Sequence, residues 1–396
     1  MPFAIVSVTN DLTTDQRVDR TCRALANSGY EVLLVGRRLR KSNALVPRSY
    51  PMHRMRLLFD SGPLFYAEYN ITLFFFLLLH RYDLLVSNDL DTLPANYLAN
   101  LVKHPFSGSH NRKSKIVNRK SKIVNRKSKI LHLHDCHEYF RGVPELVGRK
   151  KTTRIWRWIE DRIFPKLSHV VAVNQSVADL YSREYGNQIG VIRNVPFRKP
   201  LCGAFSKASL NIREEQKIIL YQGAVNVDRG IEQAILAMQH IKTDAILVIA
   251  GIGDIYESLR NFTSEQRLAE KVRFLGQIPF QDLHGYTLMA DIGLSIEKDV
   301  GINYHFCLPN KFLDYIQANV PVLVSPFPEM KSIVDHYGVG EFIESHDPVK
   351  LAAHLDTMLN NPEKTAVYKQ NLLKAAEELC WEVEEKRLVG ILDGKF

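Results

Sequence analysis

The segment FCLPNKFLDYIQANVPVLVSPFPE (306–329) combines a predicted helix start with side chains that could bind a phosphorylated ligand. Pro309 suits the first turn of a helix, after which Asn310, Lys311 and Asp314 lie on neighbouring positions of one face. A helix start that carries Asn310 and Lys311 attracts a phosphate group. Asp314 would repel a phosphate, but it could accept hydrogen bonds from sugar hydroxyls such as those of a ribose. An ordinary capped helix with a solvated face is the alternative.

A second segment, YQGAVNVDRGIEQAI (221–235), predicts another helix start with another cation. Gly223 follows a strand and allows close approach of the backbone, and Arg229 stands just before the glycine that opens a helix. A guanidinium there could bind a diphosphate through two parallel hydrogen bonds. The two segments together would hold a nucleoside diphosphate without a metal ion.

The segment HLHDCHEYF (132–140) raises the question of a metal site, because His132, His134, Cys136 and His137 are all metal-ligand types. Alternation along a strand places His132 and His134 on one face, and the strand is predicted to be buried. Histidines that are hydrogen-bonded within the fold are therefore favoured over a metal centre.

The segment NDLD (88–91) contains a D-x-D pair that could hold a divalent cation. The pattern is a frequent chance match, and a role for Asp89 or Asp91 in capping the next helix is simpler. We therefore expect no metal at either acidic segment, and no cofactor.

Short apolar, β-branched segments alternate with amphipathic stretches along the whole chain, a pattern typical of parallel sheets covered by helices on both faces. The predicted fold class is α/β, with two Rossmann-like, doubly wound domains that face each other across a cleft. Six strands are predicted in each half, at 3–8, 30–36, 83–87, 129–134, 169–173 and 190–193, and at 217–222, 245–250, 272–276, 292–296, 320–325 and 340–344.

The domain boundary is predicted near 194–203, where proline, glycine and charge interrupt the strand–helix alternation. A length of 396 residues also favours two domains over one. We predict an N-terminal domain at 1–195, a C-terminal domain at 196–375 and a final helix at 376–396.

Polar residues and glycines follow the predicted strands, at the sheet edge where ligands bind in open α/β folds. In the first half these are Asn10, Asp11, Asn88, Asp89, 135–138, Asn174 and Asn194. In the second half they are Gly223, 251–254 with Gly251 and Gly253, 297–299 and 326–329.

Composition and charge limit the class of protein and of partner. With 45% hydrophobic and 24% charged residues, the chain is typical of soluble globular proteins. Five scattered cysteines without a C-x-x-C pair argue against a disulfide framework or a zinc knuckle and favour a reducing compartment. The first 200 residues carry a net charge of +17 and the remainder −8, which indicates that one end meets an anionic partner such as a membrane or a nucleic acid.

Two further segments of the first half have competing interpretations. The Phe- and Leu-rich segment 64–82 is either a core helix or a helix whose apolar face rests in the lipid interface. A heptapeptide repeat at 111–130 carries nine basic residues and no acid. It is either a tandem insertion in a surface loop or a basic arm for lipid headgroups or nucleic acid, and the lack of interleaved aromatic residues argues against nucleic acid.

The chain resembles the retaining glycosyltransferases of family 4, the "group 1" glycosyltransferases, which have the two-Rossmann GT-B fold. Asp314 stands where these enzymes usually have the second Glu of a pair that holds the donor, and Arg229 where they usually have a Lys that contacts the diphosphate. The resemblance covers nearly the whole chain and rests on the segments VTNDLTTDQRVDR, NDLDTLPA, VIRNVP, GAVNVDRG, AGIGD, FLGQIPFQDL and LPNKFLDYIQANVPVLVS.

Two positions depart from the family pattern. Phe306 stands where the first Glu of the pair would fall, and Ala224 where a second basic residue would fall. Half of the usual donor clamp is therefore absent, unless Lys311 or Asn303 substitutes for it.

In the N-terminal domain the resemblance implies that His137 lies beside the transferred sugar and the acceptor, with Glu138 next to it. A histidine there could donate to sugar hydroxyls or handle a proton near neutral pH. The loop with Asn10 and Asp11 is expected to line the acceptor side, and the final helix is expected to pack back on this domain.

The expected function is transfer of a sugar, with retention, from a nucleotide-sugar donor to a glycan or lipid-linked acceptor in cell-surface polysaccharide assembly. Arg229 and Lys311 would stabilise charge on the leaving diphosphate, and Gly223, Gly251, Gly253, Asn310 and Asp314 would bind the donor. The expected location is cytoplasmic, at an anionic inner membrane face, and nucleic acid is not an expected partner. The alternatives are a nucleotide-sugar epimerase of the same fold and a non-catalytic membrane-associated adaptor.

Overall fold

A computed structural model of the chain describes residues 1–13, 15–103, 131–143, 148–203 and 205–394. Contacts within the chain divide it into two compact units, Met1–Arg193 with Glu385–Phe396, and Asn194–Glu384. The heptapeptide repeat at 111–130, which we predicted to be a loop insertion or a basic arm, lies outside the described residues.

The first unit is built on a sheet of parallel strands, seven of them in the part of the chain that is described. In chain order they are β1 (Phe3–Ser7), β2 (Glu31–Arg38), β3 (Met52–Arg56), β4 (Leu84–Asn88), β5 (Leu131–Cys136), β6 (His169–Ala172) and β7 (Gly190–Val191). Their spatial order is β3-β2-β1-β4-β5-β6-β7. The order reverses between β1 and β4, which is where ligands bind in doubly wound sheets.

Helices connect these strands, and polar caps mark where several of them begin. They are α1 (Gln16–Asn27), α2 (Gly62–Leu79), α3 (Asp89–Lys103), α4 (Lys150–Ile163) and α5 (Gln175–Tyr185). The side chain of Asp15 accepts from the amide of Val18 at the start of α1, and Asn174 accepts from Val177 at the start of α5. Each cap satisfies a backbone donor that the helix itself leaves unpaired.

Strand β3 was not predicted, because its sequence, MHRMR, lacks the apolar pattern used to find the other strands. It lies at the edge of the sheet and pairs in parallel with β2, from Leu34 opposite Met52 to Arg38 opposite Arg56. Backbone pairing at a sheet edge places fewer demands on side chains than a central position does.

The second unit repeats the same design with six described parallel strands in the order β10-β9-β8-β11-β12-β13. The strands are β8 (Lys217–Gln222), β9 (Ala245–Ala250), β10 (Val272–Gly276), β11 (Ile292–Ser295), β12 (Val322–Val324) and β13 (Gly340–Phe342). The helices are α6 (Ile231–Ala237), α7 (Tyr256–Glu265), α8 (Phe280–Thr287), α9 (Ile302–His305), α10 (Asn310–Gln317), α11 (Pro328–Tyr337), α12 (Pro348–Leu359), α13 (Pro362–Glu378) and α14 (Trp381–Leu392).

Both faces of the second sheet are buried, as the near-continuous apolar strands predicted. Ile219 and Tyr221 of β8 pack with α6, α7 and α12, whereas Ile218 and Leu220 pack with α10, α11 and α13. The predicted fold class, two α/β Rossmann-like units, is confirmed. The end of α14, from residue 385, groups with the first unit, where Asn27 donates to Glu385 over 2.9 Å.

Helix α2 covers most of the Phe- and Leu-rich segment and divides its apolar residues between two faces. Phe65, Tyr69, Leu73 and Leu77 are buried in the core of the first unit at the i, i+4 spacing of one helical stripe. Other large apolar residues are exposed, namely Leu64, Ile71, Phe75 and Leu79. By length and composition α2 could also cross a membrane, although its packed stripe is typical of a core helix.

Candidate functional site

The glycine-rich loops that follow β8 and β9 are packed directly against each other. An added Cβ atom at Gly251 would lie 1.9 Å from the carbonyl oxygen of Gly223, and one at Gly253 would lie 2.3 Å from Oδ1 of Asn226. Gly223 and Gly251 also have φ angles of +119° and +146°, which side chains rarely adopt. The predicted donor-binding glycines therefore shape the carboxyl edge of the second sheet through close backbone contact.

A buried carboxylate organises the two cations that were predicted to bind a diphosphate. Glu297 follows β11 and is fully buried. Its Oε1 atom lies 2.6 Å from Nζ of Lys311 and 3.8 Å from a terminal nitrogen of Arg229. Lys311 and Arg229 are thus brought together by a shared acidic partner. The sequence analysis assigned Glu297 no role of its own beyond its position after a strand.

The surroundings of Glu297 keep it ionised. Although burial opposes the charge, the ammonium of Lys311 and then the guanidinium of Arg229 hold the pKa of Glu297 below its usual range. The hydroxyl of Ser295 donates to the second carboxylate oxygen over 3.0 Å. Nζ of Lys311 also lies 4.1 Å from the centre of the Tyr221 ring. The ammonium charge is therefore stabilised both by the Glu297 carboxylate and by the face of the Tyr221 ring.

The two cations differ in how far they are available to a ligand. The side chain of Lys311 is only 7% exposed and pairs closely with Glu297, so its charge is already largely neutralised. The side chain of Arg229 is 27% exposed and stacks over the ring of Tyr304 at 4.9 Å. Arg229 is therefore the better placed of the two to contact an anion.

Lys311 and Asp314 have different partners although they stand only three positions apart on α10. Lys311 shares a face of the helix with the buried Tyr315, whereas Asp314 shares its face with the exposed Asn310. The three residues predicted to lie on one face are therefore neighbours around the helix, but they differ in burial. Asn310 accepts a hydrogen bond from Asn194 over 3.0 Å.

Asp314 is held in a separate set of contacts. Its carboxylate accepts from Nζ of Lys199 over 3.1 Å and from the side chain of Gln222 over 3.2 Å. Gln222 in turn accepts from the hydroxyl of Thr287 over 2.7 Å. Lys199 lies in the segment predicted to join the domains, so sequence spacing offered no signal that it would meet α10.

The two positions that depart from the family pattern have structural roles of their own. The ring of Phe306 packs edge-on against His305, with 4.8 Å between centroids. The carbonyl of Ala224 accepts from the hydroxyl of Tyr221 over 2.7 Å. The acidic group beside the cations is instead Glu297, and Asn303 lies in the short helix α9.

His137 lies at the carboxyl edge of the first sheet within a network of acids. Its backbone amide donates to Asp89 over 2.8 Å, and its Nδ1 atom lies 3.4 Å from the other oxygen of the same carboxylate. Its Nε2 atom lies 3.0 Å from Oδ1 of Asn88 and 3.5 Å from Oδ2 of Asp135. Asp135 is itself paired with the buried Arg17 over 2.5 Å.

The acids around His137 make its protonated form the stable one. Burial alone would lower the pKa of His137, but Asp89 and Asp135 raise it to about 9. An imidazolium at neutral pH can donate hydrogen bonds and supply positive charge, but it cannot accept a proton. Of the two roles proposed from the sequence, hydrogen-bond donation therefore suits this geometry better than proton transfer near neutral pH.

The stability that His137 contributes should be lost as the pH rises. Because its pKa is raised from about 6.5 to about 9 on folding, the contribution is fully present below pH 6.5 and disappears through pH 9. We expect the difference in Tm between the wild type and His137→Gln to shrink steadily across this range in scanning calorimetry. A difference that is constant from pH 6 to pH 10 would show that the imidazolium pairing is absent.

The other histidines of β5 are satisfied inside the fold. The hydroxyl of Ser87 lies 2.9 Å from Nε2 of His132 and 3.0 Å from Nδ1 of His134. Burial lowers the pKa of His132 to about 3 and that of His134 to about 4, so both rings are neutral. Among the residues that the structure describes, no group of three His, Cys, Asp or Glu side chains could hold a metal ion.

The carboxylates of the D-x-D pair bind other parts of the fold. Asp89 takes the backbone amide of His137 as described above, and Asp91 accepts from the hydroxyl of Thr9 over 2.6 Å. Burial, together with the neighbouring charge of Asp89, raises the pKa of Asp91 to about 7. The contacts described for the pair thus join the ends of β1, β4 and β5, and both residues also stand in the first turn of α3.

Asn10 and Asp11, predicted to line the acceptor side, bind within the loop that follows β1 and, through Asp11, to the segment that follows β2. The side chain of Asn10 donates to Asp15 over 2.9 Å and accepts from the amide of Leu12 over 2.9 Å. The carboxylate of Asp11 accepts from Thr13 and from the hydroxyl of Ser42, the latter over 3.2 Å. Glu138, by contrast, is exposed and lines a cavity of about 630 Å³ within the first unit.

Comparison with known families agrees with this architecture. Residues 204–375 match the family described as glycosyl transferases group 1. Residues 14–197 match the glycosyl transferase 4-like domain. The chain belongs to the group 1 glycosyltransferases. The first match falls within the second unit and covers the Glu297 cluster, and the second match falls almost entirely within the first unit.

Two curated relatives match parts of this family member. The chain is 28% identical over 159 residues to an uncharacterized glycosyltransferase of Methanocaldococcus jannaschii, covering 39% of each protein. It is 24% identical over 204 residues to the GDP-mannose-dependent monoacylated alpha-(1-6)-phosphatidylinositol monomannoside mannosyltransferase of Corynebacterium glutamicum, covering 48% of this chain and 50% of that enzyme. The matches therefore span half or less of these relatives.

Solved structures share the GT-B fold of this family member over its whole length. The Anabaena protein HepE in complex with UDP-glucose has a TM-score of 0.69 and 13% sequence identity, with 100% of both chains covered. At that identity the likeness establishes the fold.

Proposed function

We propose that this protein transfers a sugar, with retention of anomeric configuration, from a nucleotide-sugar donor to a glycan or lipid-linked acceptor. The observation that carries the proposal is the meeting of Arg229 and Lys311 on the buried carboxylate of Glu297, beside the glycine loops of the second sheet. This cluster has a net positive charge at the edge where open α/β sheets bind ligands.

The chemistry of the cluster suits a leaving nucleoside diphosphate. As the bond from the sugar to the diphosphate breaks, negative charge grows on the phosphate oxygens, and a preorganised cation lowers the energy of that state. Arg229 would contact the diphosphate directly, since it is the more exposed cation. Lys311 would hold Glu297 and, through it, the position of Arg229, while Asp314 would bind the ribose or the sugar.

The donor class is supported by the proteins to which the chain is similar. HepE was solved with UDP-glucose, and the Corynebacterium relative is named as GDP-mannose-dependent. Both ligands are nucleoside diphosphate sugars. We propose the same class here, bound without a metal ion.

In the first unit, His137 would act as a charged donor to hydroxyls of the transferred sugar or the acceptor, with Glu138 beside it. The raised pKa of His137, to about 9, supports this role, because the ring stays protonated at neutral pH. Asn10 and Asp11 already have hydrogen-bond partners in their loop and in the segment after β2, so they would contact the acceptor only through atoms that these bonds leave accessible.

We also propose that the protein is cytoplasmic and attaches peripherally to an anionic inner membrane face, where cell-surface polysaccharides are assembled. The exposed apolar residues of α2, among them Phe75 and Leu79, support this proposal. The net charge of +17 over the first 200 residues suits an anionic surface.

A binding and turnover experiment tests the function. Nucleoside diphosphates should raise the Tm of the protein in a thermal-shift screen, equally well with and without EDTA, because protein cations replace the metal. The cognate nucleotide sugar should then be consumed only when an acceptor is present, and NMR of the product should show retained configuration. Consumption without acceptor would favour the epimerase, and absence of any nucleotide binding would favour the adaptor.

A further inference from the structure

The cavity of about 630 Å³ in the first unit lies among α2, α3, α4 and the segment that follows β5. Its volume falls within the range of roughly 300–1,000 Å³ that is usual for small-molecule sites. Asp89, Asp91 and Glu138 all line it, so it adjoins the network around His137. The cavity is therefore next to the groups proposed to act on the sugar.

Most of the cavity wall is aromatic or aliphatic. Tyr66 and Trp156 meet edge-on with 5.2 Å between ring centroids, and Phe140 meets Trp156 at the same distance. Phe65 and Ile159 extend the apolar lining along α2 and α4. Such a wall favours a hydrocarbon chain, because covering apolar surface with another apolar group removes both from water and lowers the free energy.

The cavity also has charged lining groups, namely the carboxylates of Asp60, Asp89, Asp91 and Glu138 and the cationic side chains of Arg37 and Arg149. The carboxylates of Asp89, Asp91 and Glu138 can accept hydrogen bonds from hydroxyl groups. A ligand that is apolar throughout would leave these carboxylates without new partners, and a free sugar would leave the aromatic wall uncovered. The lining thus matches a molecule with a hydroxylated end and a hydrocarbon end.

The apolar wall continues to the surface of the protein along α4. Ile155 lines the cavity and is also 59% exposed, and Trp158, one turn further along, is 57% exposed. The same helix exposes basic side chains, namely Lys150, Lys151, Arg154 and Arg157. An exposed tryptophan among cations is typical of helices that lie at an anionic lipid interface.

We propose that this cavity binds the acceptor and that the acceptor is a glycolipid. Its sugar hydroxyls lie against Asp89 and Glu138, and its hydrocarbon chain follows Trp156 and Ile155 towards the exposed face of α4. This inference rests on the proposed sugar transfer and selects the lipid-linked acceptor over a water-soluble glycan. It places the acceptor in the cavity next to the His137 network, as expected for His137, and not against the loop with Asn10 and Asp11, which was also expected to line the acceptor side.

A simple amphiphile tests the proposal on the full-length protein. Decyl β-D-glucoside, kept below its critical micelle concentration, should bind at least tenfold more tightly than glucose and than a decyl sulfobetaine, as measured by calorimetry. Ala67→Trp should abolish this binding, because Ala67 is an exposed residue of α2 that lines the cavity. Gln175→Trp, at an exposed position of α5 that is not among the lining residues, should leave it unchanged.

The possible failures are distinguishable. If decyl glucoside binds no better than either partial ligand, or if Ala67→Trp leaves its affinity intact, the glycolipid site is wrong. Nucleoside diphosphate binding, read in parallel by thermal shift, reports on the second unit and should be the same in both tryptophan variants. Normal nucleotide binding with turnover of a soluble glycan would overturn only this inference, whereas loss of nucleotide binding in the wild type would overturn the proposed function as well.

Discussion

Replacement of Arg229 with alanine should lower kcat by ~100-fold, the usual effect of removing one group that stabilises charge in a transition state. The Arg229 side chain is 27% exposed and stacks on Tyr304, so it is the cation of the cluster that a diphosphate can reach. Because the charge grows as the bond breaks, kcat and kcat/KM should fall together. Steady-state kinetics with the cognate nucleotide sugar measures both.

A matched control separates this effect from a general loss of charge. Arg260 is 54% exposed on α7, pairs with Glu257 over 3.2 Å and has no contact with the Glu297 cluster. Arg260→Ala should retain near-normal kinetics. The role of Arg229 would be disproved if both variants turned over at the wild-type rate.

Replacement of Lys311 with methionine should lower the free energy of unfolding of the second unit by about 3–5 kcal/mol, the usual cost of leaving a buried charge without its partner. Glu297 is fully buried, and Lys311 lies 2.6 Å from it, while Arg229 at 3.8 Å compensates only in part. Urea unfolding, followed by hydrogen exchange in peptides of β11 and α10, measures the loss.

The pH dependence of this loss follows from the lowered pKa of Glu297. In the wild type the paired carboxylate contributes stability above its unfolded pKa of about 4.5, and this contribution is lost as the pH falls through the lower folded value. In Lys311→Met the carboxylate has lost the partner that keeps it charged. The difference between the two proteins should therefore be largest near neutral pH and shrink in acid.

Two further variants test whether the buried pair is responsible. Lys311→Met combined with Glu297→Leu removes both charges and should recover most of the lost stability. Lys331→Met breaks an exposed pair with Asp335 at 2.8 Å, and this change should cost less than about 1 kcal/mol. Equal losses in Lys311→Met and Lys331→Met would show that burial of the pair has no energetic consequence.

The twelve strands found from the sequence are all present. The central ones are short apolar segments buried on both faces of a sheet, whereas the edge strands β7, β10 and β13 are only partly buried but still carry apolar or β-branched residues. Strand β3 was missed because an edge strand such as MHRMR is held by backbone hydrogen bonds, which leave no apolar pattern. Helix α2 shows a related limit. Its Phe and Leu content is visible in the sequence, but only packing divides those residues between a buried stripe and an exposed face.

The sequence pointed to some residues of the candidate site and not to others, because only some of them follow a local pattern. Arg229 and Lys311 could be selected because each stands at a predicted helix start after a strand, and parallel strands bring such positions to one edge. Their link through Glu297 could not be predicted, because it depends on which side chains the helix α10 turns inwards. The pairing of Asp314 with Lys199 joins residues that no local pattern connects.

The amino-acid sequence by itself determined the α/β class, the strand positions, the glycine loops and the family, since all of these follow from local periodicity and short segments. Only the tertiary structure decided the charge states and partners: the raised pKa of His137, the buried carboxylate of Glu297 and the cavity beside Asp89. The physical reason is that backbone patterns act between neighbours in the chain. Electrostatic interactions and packing act between residues that are close in space, and only the folded chain brings those residues together.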